Sequence, residues 1–152
     1  MKVSELMATP PVCVAPHDSL VEATRLMAQS AVGSLLVIED GALRGIVTDR
    51  DIALRGMGSG LDRETRVDAV MSARMVVVDV NDDLQLAYRT FRRTGVRRLP
   101  VLREGEAVGV LTIDDLFLDV LRRLADLLGP VAWSVLREPP GPPSEAGASA
   151  EP

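Results

Sequence analysis

The chain is poor in the residues that most often build redox, metal and nucleophilic sites: it has one cysteine and one histidine. A lone Cys13 cannot form an internal disulfide. Its place in the apolar run V-C-V points to a buried strand residue, with the thiol packing as a small apolar group. His17 lies in the polar turn P-H-D-S with no second imidazole to join it, which excludes a zinc site of ordinary composition. No Cys/His or Ser/His constellation and no P-loop glycine pattern is present, so no enzyme is expected. No apolar run approaches the ~18 residues that a membrane span needs. The start, MKVSELMATPPV, has one lysine and no apolar stretch, so a secretory signal is not expected and the expected location is cytoplasmic. Positive charge is also scarce. Seventeen Lys and Arg face 22 Asp and Glu, for a net charge of -5, so no overall basic field holds nucleic acid or an anionic membrane. An anionic ligand must therefore be held by a local group of donors.

What the chain does have is a repeat. Its 152 residues are 47% hydrophobic, enough for one compact core or two small units that share one. Sliding the sequence by 64 positions without a gap matches 16 identical pairs over residues 3–54. These include Val3 with Val67, Met7 with Met71, Asp18 with Asp82, Ala23 with Ala87, Gly45 with Gly109, Thr48 with Thr112 and Asp51 with Asp115. Each copy reads alike. A short helix around Val3–Met7 or Val67–Met71 precedes the strand V-C-V or V-V-V. Asp18 or Asp82 then stands where a helix N-cap is expected, and Leu20, Ala23, Met27 or Leu84, Ala87, Phe91 follow at helical spacing. Next come two strands around D-G or E-G, a hairpin signal, and a closing helix from about Asp49 or Asp114.

The expected fold class is therefore α/β (α+β), with two tandem β-α-β-β-α units. Neither ~50-residue unit covers its sheet alone, so the two should pack with pseudo-twofold symmetry. Residues 1–56 form the first unit, 57–66 a glycine-bearing linker, 67–120 the second unit and 121–137 a helical extension. Gly129 and Pro130 are expected to end that last helix. Its apolar face, Phe117, Leu121, Leu124 and Leu128, needs either intramolecular packing or a dimer contact. Residues 138–152 are Pro-, Gly-, Ser- and Glu-rich and are expected to be a disordered tail.

Two copies of V-x-x-x-M, a strand, a helix and G-h-h-T-x-x-D resemble a pair of cystathionine β-synthase (CBS) domains, over residues 3 to about 120. G-I-V-T-D-R-D-I is similar to the regulatory insert of inosine monophosphate dehydrogenase, and V-R-R-L-P-V-L to a strand of the nucleotide-binding subunit of AMP-activated protein kinase. The resemblance implies a regulatory module that binds an adenine nucleotide (AMP, ADP or ATP) or a related adenosyl compound between its two units, needs no other cofactor, often dimerises, and modulates a separate protein. An assembly protein with degenerate, non-binding clefts is the alternative.

The residues can also be read directly. In G-I-V-T-D-R-D and G-V-L-T-I-D-D the glycine permits close backbone approach and the threonine ends the strand. The aspartate three residues on is either a ribose acceptor or the third-residue partner of a capping box, and the roles can coexist. Arg97 and Arg98 form a charge-assisted phosphate holder or, otherwise, a solvated strand end paired with Glu104 or Asp119. The first copy has Gly33 and Ser34 there. In the resembling family each cleft takes its Thr and Asp from one unit and part of its base pocket from the other. One cleft is thus expected to combine Ala15, Val32 and Ser34 with Arg97, Arg98, Val110, Thr112 and Asp115. The second cleft would use Ile46, Thr48 and Asp51 with Asp79 and Val96, and Arg50 either reaches phosphate there or salt-bridges locally.

Overall fold

In the computed structural model residues 1–137 are described. The described chain forms two compact units, Met1–Leu116 and a second that begins at Phe117. In the first, strand β1 (Cys13–Val14), helix α1 (Leu20–Ser30), strands β2 (Ser34–Glu39) and β3 (Ala42–Thr48) and the short helix α2 (Asp49–Asp51) follow in order. The pattern recurs as β4 (Val78–Asp79), α3 (Leu84–Thr94), β5 (Arg98–Arg103) and β6 (Glu106–Thr112), leading into α4 (Ile113–Arg137). Each copy holds a three-stranded sheet, ordered β1-β2-β3 or β4-β5-β6. The first pair in each is parallel and the second antiparallel.

Local chemistry explains the breaks. Asp40 and Gly41 lie at φ 50° and 77°, and Glu104 and Gly105 at 52° and 87°, the two positive angles that a tight two-residue hairpin requires. The helix caps fall one residue later than the spacing suggests. Ser19 accepts from the Glu22 N–H and Asp83 from the Gln85 N–H. Asp18 and Asp82 instead close the preceding turn, accepting from the backbone N–H of Ala15 at 2.9 Å and of Asp79 at 2.8 Å. These aspartates are turn formers, because a short carboxylate reaches back to the backbone three residues earlier.

The two sheets divide their faces by the period-2 alternation of strands. Leu35, Val37 and Val47 turn to one core with Leu20, Ala23 and Met27, while Leu99, Val101 and Leu111 turn to a second with Ala87 and Phe91. The cores are not closed by their own repeat. Val3 belongs to the core of the second repeat, and Val67 and Val70 to that of the first. The Val3 N–H donates to Asp82 and the Val67 N–H to Asp18. Just beyond, Ala8 exchanges two backbone hydrogen bonds with Val110, and Ser72 does the same with Ile46. The segment that opens each repeat in sequence thus completes the other repeat in space.

That crossing explains a glycine in each copy. A Cβ on Gly45 would stand 2.8 Å from the Ser72 carbonyl oxygen, and one on Gly109 2.7 Å from that of Ala8. No side-chain carbon fits so close to backbone.

Helix α4 differs from expectation. It continues through Gly129 and Pro130 to Arg137. A proline already has a helical φ and removes a single hydrogen bond, so the apolar run on either side of it carries the helix on. Phe117, Leu121, Leu124 and Leu128 are exposed. The expected tail, residues 138–152, lies outside the described residues. Cys13 is half-buried, its Sγ 3.4 Å from the Pro11 carbonyl oxygen, and burial pushes its thiol up from the usual range. Among the described residues no helix is long and apolar enough to cross a membrane.

Candidate functional site

The threonine that ends each hairpin is fixed by its own helix start. Thr48 Oγ1 accepts from the Asp51 N–H at 3.0 Å, while the Asp51 carboxylate accepts from the Thr48 N–H at 2.9 Å. In the second copy the same two bonds join Thr112 and Asp115 at 3.1 and 2.8 Å. This is a capping box in both repeats. The copies differ in one proton. Thr112 donates its hydroxyl to Asp115 at 2.7 Å, whereas no acceptor within the described residues takes the Thr48 hydroxyl proton. Asp51 carries a second neighbour, Arg55, 3.8 Å away one turn on. Thr48 is thus the threonine with a donor left to offer.

A cavity of about 200 Å³ opens beside it, lined by Ile46 and Thr48 from β3, Ser72, Arg74, Met75 and Val76 on the way to β4, and Val96, Arg97, Arg98 and Pro100 at the start of β5. Ile46 and Thr48 share one face of their strand, as Arg98 and Pro100 share one face of theirs, and in each case it is the face opposite the one that fills its own repeat's core cluster. The cavity is therefore built between the repeats. The Arg98 side chain reaches toward the first repeat, its Nη2 3.5 Å from where a Gly33 Cβ would stand. A larger residue at 33 would meet that guanidinium and the Asp49 carboxylate together. Arg97 meets Asp114 at 3.6 Å, with both side chains more than two-thirds exposed, a weakly held pair in high dielectric. Its partner is neither Glu104 nor Asp119; Asp119 binds Arg123.

This grouping departs from the sequence expectation. The arginine pair, expected with Thr112 and Asp115, lines a cavity with Thr48, Ile46 and Val96. Residues 96 to 98 are consecutive at the entry to β5, and all three line this cavity. Arg98 does stand across the β5–β6 ladder from Thr112, but its length carries the charge beyond its own sheet. Of the others, Ser34 is paired with Thr48, and Val110 with Pro100 and Ala8. Val32 lines a separate apolar groove of about 350 Å³ between α1 and the segment 49–57, with Met27, Ala28, Ala31, Ala53 and Met57. Ala15 and Asp79 occupy equivalent turns, where Asp79 accepts from the Asn81 N–H; neither lines the Thr48 cavity. Arg50 has no ion pair among the described residues and does not line it either. Ser72, Arg74, Met75, Val76 and Pro100 do, and the sequence reading missed them. Their signal was the V-x-x-x-M segment ending at Met71: whatever follows it must run beside the other repeat's β3.

The family model of the CBS domain matches this chain twice, at residues 3–57 and 67–122. The chain belongs to the CBS domain family. It is similar to the CBS domain-containing protein YhcV of Bacillus subtilis, 39% identical over 75% of this chain and 81% of that one. Hypoxic response protein 1 of Mycobacterium tuberculosis is 33% identical over 68% of this chain and 74% of its own. A crystal structure of Hypoxic Response Protein I with two coordinated zinc ions superposes with a TM-score of 0.70 at 30% identity, covering 76% and 96% of the two chains. The hexameric CBS-CP12 protein from bloom-forming cyanobacteria gives a TM-score of 0.68 at 27% identity, covering 77% and 69%. CBS domain pairs are generally regulatory or signal-transduction modules, and stand-alone members are typically non-enzymatic. Among the described residues of this CBS pair there is no catalytic domain, and no three His, Cys, Asp or Glu side chains are grouped to hold a metal ion.

Proposed function

We propose that this CBS pair is a ligand-sensing module that binds an adenine nucleotide in the cleft between its repeats and thereby modulates a separate protein. The observation that carries the reading is the convergence, in one inter-repeat cavity, of a threonine hydroxyl with an unused proton and the guanidinium groups of Arg97 and Arg98. Guanidinium forks match phosphate oxygens, and Ile46, Met75, Val76 and Val96 offer an apolar bed for a base. At about 200 Å³ the cavity is below the roughly 300 Å³ of a closed ligand pocket, so it encloses part of a nucleotide and leaves the rest at the mouth. Because the ligand touches both repeats, it favours one relative arrangement of them, and a partner that reads that arrangement responds to the ligand.

Titration calorimetry with AMP, ADP and ATP tests this. Thr48→Ala and Arg98→Gln should each weaken binding about tenfold or more, since hydrogen bonds to charged groups contribute roughly 1.5–3 kcal/mol, while Thr112→Ala should leave it nearly unchanged. Loss of binding in Thr112→Ala alone would move the site to the other cleft. No binding by any of the three would favour the assembly reading. A homodimer also fits this chain, because the groove between α1 and the segment 49–57 and the exposed leucines of α4 are apolar surface of the kind a twofold contact covers. Sedimentation at micromolar concentration should give twice the monomer mass; a monomer there rules the dimer out.

A further inference from the structure

Resting on the nucleotide reading, we infer that the Thr48 cavity selects its ligand by phosphate number, and that Arg74 sets that selection: the ligand class is a nucleoside di- or triphosphate. Three cationic side chains, Arg74, Arg97 and Arg98, line the cavity with no carboxylate among them. Neither Arg74 nor Arg98 has an ion pair among the described residues, and the one contact of Arg97 is exposed and long. The nearest carboxylates, Asp114 beside Arg97 and Asp49 beside Gly33, lie outside the lining, so within the cavity the like charges repel one another, and an anion of matching valence removes that cost. A monophosphate brings at most about two negative charges, which the Arg97 and Arg98 pair can meet. The third guanidinium has work only if the phosphate chain continues.

Arg74 is well placed for that. It follows Ser72, whose two backbone hydrogen bonds to Ile46 pin the segment alongside β3, so it approaches Thr48 from a different stretch of chain than β5 does. The internal repeat supplies a control. Sixty-four positions earlier, Arg74, Arg97 and Arg98 correspond to Pro10, Gly33 and Ser34. The first repeat thus forms the same fold with no charge at any of these three positions. The same cluster disfavours a cationic adenosyl compound such as a sulfonium.

The test is calorimetry on the full chain with ATP, AMP and adenosine, in EDTA so that no divalent ion shields the phosphates. The wild-type protein should bind ATP at least about tenfold more tightly than AMP, and AMP more tightly than adenosine. Arg74→Gln should weaken ATP about tenfold and leave AMP within about twofold, with Arg74→Lys in between. The salt dependence of ATP binding should also flatten in Arg74→Gln. Because Arg74 is exposed, thermal unfolding should be unchanged, which separates loss of the site from loss of the fold. Equal affinity for ATP and AMP in the wild type, or an equal loss of both in Arg74→Gln, overturns phosphate counting while leaving nucleotide binding in place. Absence of binding by all three ligands overturns both.

Discussion

At Ala31 the backbone closing α1 sits at φ 52°, ψ 42°, while the matching residue closing α3 is Gly95 at φ 70°. An alanine in the left-handed region costs roughly 1–2 kcal/mol, and glycine gives back part of that through its freer unfolded chain, about 0.4–1 kcal/mol. Ala31→Gly should therefore stabilise the protein by about 0.5–1 kcal/mol, read as a higher urea midpoint at unchanged m-value; an equal or lower midpoint would show that the left-handed cap carries no strain. Gly45 and Gly109 illustrate the opposite case, where the sequence signal was complete: a glycine at the same place in both copies, with a close backbone approach as its cause. Thr48 and Thr112 were equally legible as strand ends. What could not be read was which threonine keeps its hydroxyl proton, because that depends on a side-chain rotation about the cap and not on residue type.

The hairpins and the apolar faces of α1 and α3 follow from local pattern, since turn residues and helical periodicity act within a few positions. Helix starts were displaced by one residue, because Asp18 and Asp82 compete for a turn that lies just before the cap. Helix α4 was misread at its end. Pro130 leaves the carbonyl of Asp126 without a helical donor, yet the helix continues. Pro130→Ala should restore that bond and, given the roughly 3 kcal/mol penalty of a mid-helix proline, slow amide hydrogen exchange across residues 126–134. Unchanged exchange on both sides of position 130 would mean that the helix stops at Gly129.

Across the whole of the first compact unit, the exchanged openings tie each repeat's stability to the other's sequence. Val3 is fully buried among Val78, Ala87, Phe91, Leu99 and Leu111, so Val3→Ala should cost roughly 1–3 kcal/mol. The loss should appear as faster amide exchange in β5 and β6, with β2 and β3 spared, and Val67→Ala should do the reverse. Loosening of β2 and β3 by Val3→Ala would contradict the exchange. The 64-residue repeat, the strands and helices within it, and the residue types of the site are properties of local pattern, and the chain carries them openly. Which repeat a segment completes, and which cleft receives Arg97 and Arg98, are not local properties. They depend on two backbones crossing at Gly45 and Gly109 and on which face of a strand meets the opposite sheet, and only packing decides that, because a sequence orders its residues along the chain while a site is defined by their approach across it.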